Sequence, residues 1–214
     1  MTRNEILDRY RHLRTISKHH HIAALKLVSS STLLEIAKQL GLTQGRVLVA
    51  ESAEEMTLAF DLAIYTAKER RSRALDRYAR ATSPALGSVE ALILDAMCCA
   101  MFSIWRVDRK HETAGLILTD TLRMREQWLV DEQLEASAPK GMVFAGRLFE
   151  PDNSFAMSSG VIVPFTPAMV ETVMQATQAW HSSTPEQLAQ DRRFATAVYR
   201  AAIDRNIMAN VAYV

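Results

Sequence analysis

The sequence predicts an α+β fold: N-terminal helices, a central five-stranded antiparallel meander or small partly closed barrel, and two C-terminal helices. Three observations carry that expectation. Well-marked helix starts recur through the first hundred residues. Near residue 102 the texture changes to short runs rich in β-branched and aromatic residues, separated by turn-like segments, which is the pattern of hairpin-connected strands. After Phe165 the helix starts return, each a cap residue followed by proline, at Thr166-Pro167 and Thr184-Pro185. No Ser/Gly linker, repeat or low-complexity tract interrupts the 214 residues. They are read as a single domain over 1–214, helical over 1–101, β-rich over 102–165 and helical over 166–214.

At the start of the chain, Thr2-Arg3-Asn4-Glu5 fits a capping box, in which a hydroxyl accepts from an amide three residues on and the acid reaches back. Ile6, Tyr10, Leu13, Ile16, Ala24 and Leu27 then form an apolar stripe to about residue 28. Thr32-Leu33-Leu34-Glu35 reads as a second box, with Gly41 as a left-handed stop. Ser52-Ala53-Glu54-Glu55 opens a third helix through MTLAFDLAIYTAKER, continuing or restarting in RSRALDRYARA. Pro84 and Gly87 break the chain, and Ser88 caps VEALILDAMCCA. The five predicted strands are FSIWRV, AGLILTD, EQWLVDE, MVFAGRLF and FAMSSGVIVPF, and Trp105 or Trp128 is expected to pack under helices from both ends of the chain. Two helices, over about 167–181 and 185–208, complete the fold.

Composition narrows the function classes. A hydrophobic fraction of 49% with 23% charged residues is that of an ordinary soluble globular protein. The net charge of +1 supplies no overall field toward nucleic acid or an anionic membrane. The start has no apolar signal core, and no run reaches the ~18 apolar residues of a membrane span. The expected location is therefore cytoplasmic, with no membrane partner. Cys98 and Cys99 are adjacent, lack C-x-x-C spacing and are expected as two small buried hydrophobes.

The segment LLEIAKQLGLTQGRVLV, residues 33–49, resembles the helix-turn-helix of bacterial regulators. Ala37 stands at the close-packing position of the first helix, Gly41 at the turn and Val47 at the anchor of the second. The residues beyond the turn point the other way. Gly45 and the run Val47-Leu48-Val49 suit a short strand, Ser52 starts a fresh helix, and Glu51, Glu54 and Glu55 would repel DNA phosphates. The expected reading is helix, turn and strand, with nucleic acid disfavoured. The chain as a whole, especially EEMTLAFDLAIYTAKERRSRALDRYARA, LEASAPKGMVFAGRLF and FAMSSGVIVPF, resembles an uncharacterised bacterial protein family over most of residues 5–165. That resemblance implies no activity.

The basic segment KERRSRALDRYAR is the best candidate site. On a helix Arg70, Arg71, Arg73 and Arg77 would fan outward, an anion- or partner-binding face, since planar guanidiniums grip oxyanions at two points. The competing reading is a solvated face self-paired through Glu69–Arg73 and Asp76–Arg80. His19-His20-His21 cannot converge on one metal ion, because consecutive helical side chains diverge by about 100°. Asp108, His111 and Glu112 cluster at a strand end and read as a polar hairpin turn, and Ser158, Ser159 and Gly160 show no partner base. Nucleotide-loop, hydrolase and zinc-protease motifs are absent, and no cofactor or metal is expected. The leading expectation is a non-catalytic protein acting through a protein partner or self-association. A helix-turn-helix DNA-binding regulator is the alternative, and an enzyme of unrecognised type ranks third.

Overall fold

In the computed structural model, residues 1–45, 47–50, 52–152, 154–178, 180 and 184–207 are described. The N-terminal helices begin where hydroxyls cap them. α1, Arg3–Leu25, carries the expected box: the Thr2 hydroxyl accepts from the Glu5 amide at 3.4 Å and the Glu5 carboxylate accepts from the Thr2 amide at 2.7 Å. α2, Ser30–Leu40, starts one turn earlier than expected. Its cap is Ser29, which accepts from the Thr32 amide at 3.2 Å. Glu35 is drawn away to Lys68, 2.8 Å off, so no box forms at Thr32. Gly41 ends α2 with φ 79°, a left-handed conformation that favours glycine, and a Cβ there would displace the Arg200 guanidinium 2.0 Å away.

A two-stranded hairpin comes next, β1 (Thr43–Gln44) and β2 (Val47–Leu48), paired antiparallel. Strand therefore stands where a recognition helix would begin, as the apolar run implied. Arg46 and Glu51 lie outside the described residues. α3, Ala53–Tyr65, is capped by the Ser52 hydroxyl, which accepts from the Glu55 amide at 3.2 Å. α4 spans Ala74–Thr82, and α5 spans Val89–Cys98 behind the Ser88 cap. The continuous arginine-bearing helix is not formed. Thr66 turns extended at φ −118°, its hydroxyl donates to the Leu62 carbonyl at 2.6 Å, and residues 66–73 run as a linker. Cys98 is half-buried and Cys99 exposed at the end of α5, both as free thiols, so they are not the buried pair expected.

The five strands form where expected: β3 (Met101–Lys110), β4 (Leu116–Asp120), β5 (Arg125–Leu129), β6 (Val143–Phe149) and β7 (Met157–Pro164). Their order is β5-β4-β3-β6-β7, all antiparallel, so the sheet is two hairpins flanking β3 rather than a sequential meander. The cause is α6, Glu132–Ser137, which carries the chain from β5 across to the far side of β3. The sheet is not closed, yet its edges touch at one corner. The Val130 amide donates to the Ala156 carbonyl at 3.0 Å, and the Ala156 amide donates to the Trp128 carbonyl at 2.7 Å. Asn153, in the segment EPDNS expected to be turn-like, lies outside the described residues.

This curl buries both faces. On the inner face Trp105, Val107, Leu118, Leu129, Phe144 and Leu148 make a small core of their own, and the Trp105 indole donates to the Gly146 carbonyl at 3.0 Å. On the outer face helices pack. Phe102 and Ile104 of β3 meet Leu58 and Leu62 of α3 together with Phe194 and Tyr199 of the last helix. Phe102, and neither tryptophan, is thus the residue under helices from both ends. Trp105 faces inward, and Trp128 packs beside the α1–α5 core.

The C-terminal part is α7 (Pro167–Thr177), α8 (Pro185–Gln190) and α9 (Arg192–Asp204). The second predicted helix is two, because the Asp191 carboxylate accepts from the Arg193 amide at 2.8 Å and restarts the chain. Residues 181–183 and 208–214, where the two predicted helices were to end, lie outside the described residues.

Candidate functional site

An arginine-lined cleft opens between the α3–α4 linker, the ends of the central strands and α8–α9. Its volume is about 540 Å³, and Arg73, Arg123, Arg125, Arg147 and Arg192 line it against two carboxylates, Glu186 and Asp191. At its floor sits Arg147, whose side chain is only 7% exposed. Strand alternation puts Arg147 on the helix-facing side of β6, directly across from Phe102 of β3. Asp61, one turn before the end of α3, meets it there.

The Arg147 Nε donates to both Asp61 oxygens, at 3.2 and 3.0 Å, and the Tyr199 hydroxyl of α9 donates to Asp61 Oδ2 at 3.0 Å. The guanidinium also lies 5.0 Å from the Tyr65 ring centre and 5.3 Å from that of Phe102. Burial pushes the Asp61 carboxyl up from its ordinary value, and the Arg147 charge and the Tyr199 hydroxyl pull against it. Gly160 of β7 takes φ 92° and brings backbone against this pair, since a Cβ there would approach Asp61 Oδ1 to 3.0 Å. The Nη nitrogens of Arg147 have no partner among the described residues and reach the cleft.

The other arginines are held to different degrees. Arg73 gives Nε and Nη2 to Asp76 and Nη2 also to the Cys98 carbonyl at 2.8 Å, leaving Nη1 over. Arg123 pairs with buried Asp120 at 2.8 Å. Arg192 donates to the Ala67 carbonyl at 2.9 Å and lies 3.5 Å from Glu69. Arg125, at the start of β5, is exposed and has no side-chain partner among the described residues. Ala100, Met101, Phe102, Ala189 and Ala195 provide an apolar wall.

Of the four arginines singled out by sequence, the structure brings only Arg73 into this cleft. Arg71 and Arg77 line a neighbouring concavity of about 440 Å³ with Lys68 and the start of α2. Arg77 is engaged by backbone, donating to the Ser72 and Leu27 carbonyls at 2.7 and 2.9 Å. Arg70 stands exposed at a turn with φ 61°. A third concavity, about 460 Å³, joins Lys68 to Arg192, Arg193 and Arg200. Thr66 borders all three, so the linker carries a basic surface around itself. The expected acid-first ion pairs do not form. Asp76 holds Arg73, and Arg80 donates to the Asp76 carbonyl at 3.1 Å.

The remaining candidates disperse. Asp108 binds Arg106 and the Thr119 hydroxyl, while His111 stacks on Trp128 with ring centres 4.1 Å apart. His20 donates from Nε2 to the Glu90 carbonyl at 3.0 Å and accepts from the Tyr78 hydroxyl at 3.0 Å. His21 donates from Nδ1 to the Ser17 carbonyl at 3.0 Å, so its Nε2 accepts from the Tyr65 hydroxyl at 2.8 Å. Ser159 donates to that same hydroxyl. A base therefore does lie near Ser159, 3.3 Å away, but the serine is 1% exposed and the cluster fixes the back of Tyr65. Burial pulls His21 down to about 4 and pushes Tyr65 up.

The signals that sequence reasoning passed over are Asp61 inside the apolar run LAFDLAIY and Arg147 inside the apolar strand FAGRLF. A charge at each of two buried positions calls for an opposite charge, and each is the other's. Among the described residues no group of three metal-ligating side chains occurs, and no helix is long and apolar enough to cross a membrane. No curated protein and no solved structure matches the chain. The chain belongs to a family of unknown function, DUF7986, whose family model matches residues 4–209.

Proposed function

We propose that this is a non-catalytic, cytoplasmic binding protein whose partner surface is the basic face around the 66–73 linker. Its partner is an acidic segment of another protein. The observation that carries the reading is the gathering of Lys68, Arg71 and Arg77 with Arg192, Arg193 and Arg200 in adjoining concavities. Glu35, Glu69, Asp191 and Asp204 pair with Lys68, Arg192, Arg193 and Arg200, so the surplus charge sits on Arg71 and Arg77, beside exposed Arg70. Such local asymmetry steers association through complementary charge. Arg70 and Arg71 have no side-chain partner among the described residues and are the cations readiest to engage one.

Two features favour an acidic protein over nucleic acid. Thr43–Gln44 and Val47–Leu48 pair as strands where a groove-reading helix would begin. Arg193 already lies 4.4 Å above the Trp180 ring, a face that single-stranded nucleic acid would use for base stacking. The test is binding of a fluorescent Asp/Glu-rich peptide at low and high salt, wild type against Arg70→Gln/Arg71→Gln. The wild type should bind with a steep salt dependence that the double variant flattens, chiefly through slower association. Equal salt slopes would remove this face, and tighter binding of a DNA duplex than of the peptide would revive the regulator reading.

A further inference from the structure

We propose that the arginine cleft is a binding site for a small phosphomonoester, adjoining the outer basic face at Arg192 but built on Arg147, Arg73 and Arg125, which that face does not use. Arg147 carries the argument. A guanidinium buried to this degree costs free energy that a single pairing with Asp61 only partly offsets. Asp61 takes only Nε of Arg147, and the two Nη nitrogens are turned on the cleft without partners among the described residues. The Tyr65 and Phe102 rings and Asp61 hold that guanidinium in place, so its donors stand in fixed positions before any ligand arrives.

The donors around it fit a phosphoryl group better than a carboxylate. Arg147 offers both Nη nitrogens, Arg73 offers Nη1, and Arg125 offers its whole guanidinium from the opposite strand edge. Three guanidiniums on three elements exceed the two oxygens of a carboxylate. They suit the three equivalent oxygens and near-double charge of a phosphomonoester. Arg73, Arg123 and Arg147 each have a carboxylate already and Asp191 has Arg193, so Arg125 and Arg192 set against Glu186 leave roughly one net positive charge for the ligand to meet. The volume of about 540 Å³ is that of a small-molecule site. The apolar wall of Ala100, Met101, Ala189 and Ala195 leaves room for an organic moiety, and Glu186 supplies an acceptor for one of its hydroxyls. The Tyr65 hydroxyl is engaged by His21 and Ser159.

The test uses the whole protein and isothermal titration with glycerol 3-phosphate, inorganic phosphate and succinate. Glycerol 3-phosphate should bind at least tenfold tighter than succinate and tighter than inorganic phosphate. Its affinity should rise as pH passes upward through the second phosphate ionisation, near about 6. Arg125→Gln, on an exposed side chain, should weaken it tenfold or more with an unchanged melting temperature. Arg147→Lys, which keeps the charge for Asp61, should do likewise if it folds. Equal affinity for succinate, no binding at millimolar glycerol 3-phosphate, inorganic phosphate binding as well as the ester, or an unaffected Arg125→Gln would each overturn the proposal. None of these outcomes bears on the peptide-binding face, whose probe and variants are different.

Discussion

Arg147, at the floor of the cleft, and Arg71, on the 66–73 linker, represent two ways of presenting a guanidinium. Arg147 is buried, oriented by Asp61 and flanked by two rings, with its outer nitrogens facing a cavity. Arg71 is exposed and unpartnered among the described residues. A free arginine loses up to about 2 kcal/mol of rotamer entropy when a ligand fixes it, whereas one already held has little left to lose. The inner site is therefore preorganised for geometry. The outer face is suited to attraction at a distance, and it weakens with salt as exposed charges do. The difference shows that a cluster of arginines in sequence says less about binding than the carboxylates that do or do not hold each one.

The sharpest way to break this contrast is Asp61→Ala. It leaves Arg147 buried without its carboxylate and Tyr199 without its acceptor, and should cost about 3–5 kcal/mol in urea unfolding. A loss under about 1 kcal/mol would mean that Arg147 turns to another partner and that the cleft floor is not set in advance.

The next effect comes from pH at the back of the cleft. His21 is held neutral in the fold, its value lowered to about 4 by burial and then by Arg14. The unfolded chain takes up a proton near pH ~6.5 and the folded chain resists until far lower. The stabilisation is thus fully present above that range and is lost as pH falls from about 6.5 toward 4. His20, lowered by the same cause, adds in the same direction. Unfolding free energies measured from pH 7 to 5 should fall, and His21→Gln should flatten the curve. An unchanged slope would show that His21 is not protected behind Tyr65.

Smaller again is the cap beneath the outer face. Ser29→Ala should cost about 1 kcal/mol and Thr32→Ala clearly less, because Ser29 makes the bond to the α2 amide. The reverse order in thermal melts would restore the cap to Thr32. Least of all, Arg70→Gln and Arg71→Gln should each change stability by less than about 0.5 kcal/mol, as solvated side chains do. A larger loss would show that the outer face is structural and erase the contrast with Arg147.

Much of the chain was legible because its signals are local. Thr2, Ser52, Ser88 and Thr184 cap helices as hydroxyls before amides must, and the five strands track their β-branched runs. The 66–73 segment misled because Arg70, Arg71, Arg73 and Arg77 have helical spacing, but Thr66 turns extended and Arg73 becomes a cap. Strand order was equally hidden. Six residues of α6 move β6 to the far side of β3, and nothing in the strands themselves states their neighbours.

What the sequence by itself determined is the α+β class, the strand set, most helix starts and the hairpin rather than helix after Gly41, since each depends on side chains within one turn of one another. Only the tertiary structure decided which charges meet. Asp61 and Arg147 are separated by 86 residues and Asp61 and Tyr199 by 138. Their pairing needs α3, β6 and α9 packed on one face of a curled sheet. Burial makes an unpaired charge intolerable there, and the packing determines which partner is near.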